Sequence, residues 1–184
     1  ADLVQALTSA QLVALSSTQV GALTAAQVAG LSTTQLQAIE AADIRGFTTS
    51  ALDSLSTVQI SALTTAQIQA LTTAQIAGLT SVQFQGLTTA QLAALTTAQT
   101  AALSAAQVES LTTAQVKSLT TAQVASLTSA QIDKLSATQV GAMTAAQVKA
   151  IESDDLALMT DAEVAAFSTA AVANMTTDQV AALA

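Results

Sequence analysis

The sequence predicts an all-α solenoid of very short helices, one capping-box helix to each eight-residue repeat. Three observations carry that prediction. Twenty-two octads run from Leu7 to Ala182 without an insertion or a deletion. Within each octad, Ser or Thr stands three residues ahead of Gln, the signature of a helix N-terminus. Large apolar residues stand just before the Ser/Thr and just after the Gln, where they can pack on each other across the first turn. A repeat of eight residues cannot bury its own apolar side chains, so the octads must stack on their neighbours. The expected organisation is a single repeat solenoid over residues 1–184, with 22 complete octads in 7–182 and partial or terminal pieces at 1–6 and 183–184.

Taken in order, residues 1–6 do not fit the octad, although Leu3 and Val4 keep them apolar. The regular pattern opens at Leu7, and its purest form is LTTAQVAS at Leu119 to Ser126. Position two is Ser or Thr in 20 of 22 octads, and position five is Gln in 17. The hydroxyl of position two should accept from the position-five amide, while the Gln side chain reaches back to the position-two amide. A helix is then expected from about position three to position eight, some six residues or ~9 Å. One continuous helix is ruled out by geometry. Eight residues at 3.6 per turn leave successive octads about 80° out of phase, so the Leu positions would spiral around the whole surface. A β-solenoid is disfavoured by Ala at positions four and eight and by the scarcity of corner Asn and Gly. Positions one and six form the expected core, apolar everywhere except at Thr100. Small residues at four and eight should let backbones approach, and positions three and seven should face solvent.

Two stretches depart from the pattern. IEAADIRGF starts at Ile39 and IESDDLALM at Ile151, each opening with Ile-Glu and carrying Asp at position five, Asp43 and Asp155. Near them stand the two octads headed by Phe, Phe47 and Phe167, and these alone have Ala at position five, Ala51 and Ala171. That coupling suggests a larger unit of organisation, with the Phe ring in the space Gln normally fills. The acidic group Glu152, Asp154, Asp155, Asp161 and Glu163 offers the oxygens a Ca²⁺ ion wants. Asp154, Asp155, Asp161 and Glu163 are therefore the candidate metal ligands, although the EF-hand spacing and its Gly are missing. Carboxylates at helix N-termini also favour the helix dipole with no metal present.

Composition narrows the function. The net charge of −8, from 4 Lys/Arg against 12 Asp/Glu, weighs against nucleic acid, whose phosphates call for Lys and Arg. There is no Cys, hence no disulfide framework, and no His or Tyr. No base stands out to activate the many hydroxyls and no phosphate-cradling Gly motif is present, so neither an enzyme nor a cofactor is expected. No apolar run reaches the roughly 18 residues that a membrane span needs. Residues 54–108 carry no charged side chain at all, and such unrepelled flanks permit association between copies.

The LTTAQV and LTTAQI strings, as in Leu63 to Ile76 and Leu111 to Val124, resemble octapeptide arrays of large secreted or surface-exposed bacterial proteins of the adhesin-like kind. That resemblance implies an extracellular or cell-surface location and a scaffold or stalk role, and it brings no binding-site residues with it. The expected function is a structural extracellular scaffold, a rigid repeat rod that acts as a spacer or as a filament-forming subunit. Its partners would be other copies, end to end or laterally, or flanking parts of a longer polypeptide. The alternative is a module that binds ice, a glycan or another adhesin ligand through rows of Thr and Gln. Thr pairs such as Thr64–Thr65 and Thr72–Thr73 motivate it, but only position three is free of capping.

Overall fold

The computed structural model describes residues 3–183. Among them are 22 α-helices of four to six residues and no strand. Every octad from Leu7 onward contributes one helix, which begins at position three with position two as its N-cap, as in Thr65–Ala70 and Thr121–Ala125. The N-cap residues are extended, with Thr64 at φ −70° and ψ 157°. The helices end without a left-handed residue, since no described residue has a positive φ. Instead the amide of each following position-one residue closes a tight i→i+3 bond, such as Leu127 N to Val124 O at 3.1 Å. That bond turns the chain out of one helix and straight into the next N-cap.

The chain divides into two compact units, Ala1–Leu95 and Thr96–Ala184. Within each, helices pack on the helix three octads along. In the first unit Ala41–Ile44 lies on Thr65–Ala70, and Thr57–Ala62 lies on Thr33–Ala38. In the second, Thr113–Ser118 lies on Ala137–Ala142, which lies in turn on Asp161–Ala166. Three octads, and so 24 residues, complete one turn of the coil.

The buried interior is made of positions one and six, as the sequence predicts. Leu63, Ile68, Leu71 and Ile76 are at most 3% exposed. Thr100, the polar exception at position six, is fully buried and donates its hydroxyl to Thr96 O at 3.0 Å within its own helix. Phe84 fills position six in its octad with no exposure. Phe47 and Phe167 are buried at position one, and Ala51 and Ala171 are buried at position five, so these two octads extend the apolar core into the place of Gln.

Two expectations need correction. Position four is not where backbones meet: Ala66, Ala90 and Ala122 are exposed, and Val58 and Val82 are 66% and 68% exposed there. Once a helix starts at position three and turns five and six inward, position four lies on the outer side of its first turn. Close approach occurs where position eight of one octad meets positions three and seven of a stacked octad. A Cβ on Gly21 would lie 2.8 Å from Gly46 O, and one on Gly46 would collide with Ser17 O. The second correction concerns residues 1–6. Leu3–Ala6 form a 3₁₀ turn whose Gln5 carbonyl accepts from Gln35 Nε2 at 2.9 Å, so the leading segment joins the octad network.

Candidate functional site

The capping box forms as its spacing predicts. In the Thr88 octad the Gln91 amide donates to Thr88 Oγ1 at 3.2 Å, and the Thr88 amide donates to Gln91 Oε1 at 2.8 Å. That uses only the oxygen of the Gln side chain. Its nitrogen donates to Ile60 O at 2.9 Å, Ser61 O at 3.3 Å and Leu63 O at 2.7 Å. Ile60 and Ser61 belong to the end of the helix Thr57–Ala62, whose last carbonyls have no partner within the helix, and Leu63 is its C-cap. One side chain therefore caps the N-terminus of its own helix and satisfies the C-terminus of a helix one turn away. The positive amide end also meets the negative end of that helix dipole.

The same three offsets, 31, 30 and 28 residues back, recur for Gln83, Gln131, Gln139, Gln147 and Gln179. These side chains are buried, with Gln91, Gln131 and Gln147 each 2% exposed. Sequence reasoning assigned Gln to capping alone and left it out of the core. The overlooked signal was a preference. A capping box accepts Glu as well as Gln, yet position five is Glu only at Glu163. Only Gln carries the donor that reaches the next turn.

The irregular octads show what happens without it. Glu40 and Glu152 make no side-chain cap bond. Glu163 keeps the box, accepting from the Thr160 amide at 2.7 Å. Ala51 lacks the side chain altogether, and there Ser54 Oγ donates across to Ala25 O at 2.9 Å.

The acidic residues singled out for Ca²⁺ do not converge. Asp154 and Asp161 are exposed, Asp155 is 5% exposed in the interior, and the Glu163 carboxylate is held at its N-cap. Among the described residues no three Asp, Glu, His or Cys side chains gather as a metal site. The ion pair among the described residues is Lys134 Nζ to Asp133 at 2.9 Å on the surface. That hydrogen bond holds the Lys134 ammonium above its ordinary range. Two shallow grooves lie on the described surface. One, of ≈ 330 Å³, is lined by Leu156, Ala157, Met159, Val164 and Leu183 with Asp161 at its rim. The other lies beside Thr49, Ser50, Asp53 and Gly78. No described helix is long and apolar enough to cross a membrane.

A family model described as the ALTTAQ repeat matches the chain five times, at residues 1–37, 36–73, 68–97, 97–129 and 148–184. No curated protein matches the chain.

Proposed function

Because the chain belongs to the ALTTAQ repeat family, we propose that it is a structural repeat module, a spacer or scaffold element outside the cell or at its surface. The observation that carries this reading is the glutamine ladder. Of the 17 position-five Gln side chains 12 are buried, and those such as Gln83, Gln91 and Gln139 are bonded turn to turn, so the ladder holds the coil together and these side chains are not presented to a ligand. Each stacked turn adds its own set of bonds and its own pair of core residues, which suits a protein whose task is to maintain a length. The surface adds no competing chemistry: its residues are mainly Thr, Ser and Ala, and the net charge of −8 is adverse to nucleic acid.

The test is mechanical. Pulled from its two ends in a single-molecule force experiment, the chain should yield in repeated steps that each release one turn. Twenty-four residues at about 3.4 Å each give steps of roughly 80 Å. A featureless extension with no resisting steps would overturn the scaffold reading. The second reading, a module that binds ice or a glycan, rests on exposed Thr at position three, such as Thr65, Thr73, Thr113 and Thr121. These lie outside the capping network. Thermal hysteresis or a positive glycan array would decide in its favour.

A further inference from the structure

We propose that one lateral face of the first unit is a contact surface for a second copy of this chain, laid antiparallel against it. This rests on the structural reading above and names the partner. Val58 and Val82 stand at position four, on the outer side of their helices, and are 66% and 68% exposed. Every other octad has Ala, Ser, Thr or Asp there. The two valines are 24 residues apart, one turn of the coil, and their helices, Thr57–Ala62 and Ser81–Gln85, stack on each other. Thr33–Ala38 packs on the other side of Thr57–Ala62 and presents Thr34, also exposed, at the same position. Thr34, Val58 and Val82 thus form a β-branched stripe along one face, one residue to a turn.

Charge and spacing say what covers it. In the same unit, the stack of Ser17–Gly21, Ala41–Ile44 and Thr65–Ala70 carries Glu40, Asp43 and Arg45, and that of Ala25–Ala29, Thr49–Asp53 and Thr73–Gly78 carries Asp53. The octads of the valine stack, residues 31–38, 55–62 and 79–86, carry no charge. The exposed polar side chains around the valines are those of Gln37, Ser56, Thr57 and Gln85. Copies of a chain with a net charge of −8 repel one another, and on this face they meet without opposing one carboxylate to another. The core of such a contact is depleted of charge, as the cores of protein interfaces are. A partner must also match the stripe's spacing, one residue per turn, and a second copy has that spacing already. A two-fold axis midway between the valines sets Val58 on the partner's Val82 and Val82 on the partner's Val58, so both pairs close at once and two copies complete the contact. Stacked helices lie roughly 8–10 Å apart, so three of them make a face on the order of 300–400 Å² at one helix's width. That is less than the roughly 800 Å² per partner of a standard interface, so the dimer is weak and forms at high concentration.

Sedimentation equilibrium on the 184-residue chain, up to millimolar concentration, tests this. The expected result is a reversible monomer–dimer equilibrium. Val58→Ala/Val82→Ala installs the residue most octads carry at position four, so the circular dichroism spectrum and melting temperature should hold while dimerisation weakens at least tenfold. Val58→Lys and Val82→Glu should each weaken self-association, and an equimolar mixture of the two variants should dimerise again, because the new charges of opposite sign face each other across one of the two pairs. A monomer at the highest concentration, association that the double Ala variant leaves unchanged, or a mixture that stays monomeric would overturn the proposal. A monomer that still unfolds under force in steps of one turn would refute docking alone and leave the scaffold reading standing.

Discussion

At the scale of the residue, one substitution separates the two tasks of Gln. Glu preserves the capping box, as the bond from the Thr160 amide to Glu163 demonstrates, but it has no N–H to donate. Gln91→Glu would leave the carbonyls of Ser61 and Leu63 without the Gln donor, while Ile60 O keeps only the Leu63 amide, and would place a carboxylate against them in the interior. Buried unsatisfied groups and an uncompensated buried charge together should cost about 3 kcal/mol or more. Gln11→Glu changes a side chain that is exposed and whose nitrogen donates to no described residue, so its effect should stay within about 0.5 kcal/mol. Urea titration of the two variants, at a concentration where the chain is monomeric, measures the contrast. Equal losses would mean that capping, not the cross-turn bond, is what position five supplies.

At the scale of the element, the helix was legible in the sequence and its partner was not. Ser/Thr-x-x-Gln is a local signal, complete within four residues, and it fixed the N-cap at position two and the helix start at position three. The partner of Gln91 lies 28 to 31 residues away, and no local pattern reports a distance of that kind. Position four was misjudged for a related reason, since small size suits both close packing and open solvent, and Ala alone does not distinguish them. The glycines do distinguish them, once the stacking offset is known. Gly46→Ala would drive a Cβ into Ser17 O, backbone that cannot step aside, and should destabilise the first unit by about 1–3 kcal/mol. Gly78→Ala, whose Cβ would sit 3.5 Å from Thr49 Cγ2 at ordinary contact distance, should be neutral or stabilise by up to about 1 kcal/mol, because Ala is the better helix former. Thermal melts of the two variants should therefore move apart; a matching loss in both would remove the close approach of backbones from the account of stacking.

At the scale of the whole molecule, interactions between octads three and four apart make the octad the unit of insertion and deletion. Removing residues 63–70 joins Ala62 to Leu71, and the next octad continues in phase. Within the first unit Gln83 and Gln91 then still face carbonyls 28, 30 and 31 residues back, and the loss there is one octad's share of core and bonds. Removing residues 63–66 instead joins Ala62 directly to Gln67. That octad loses its position-one Leu63 and its N-cap Thr64, and every later Gln is displaced by four residues from the carbonyls it should meet across the deletion. The two deletions differ by only four residues, yet they should behave differently. The eight-residue deletion should keep helix content per residue in far-UV circular dichroism and lower the unfolding midpoint modestly, as expected where stability is a sum of neighbour terms. The four-residue deletion should reduce helix content around the junction and broaden or split the melt, because turns on either side of it lose their mutual ladder. If the shorter deletion were tolerated as well as the longer one, stacking would not depend on the octad register, and the glutamine offsets would be a consequence of the coil instead of a cause.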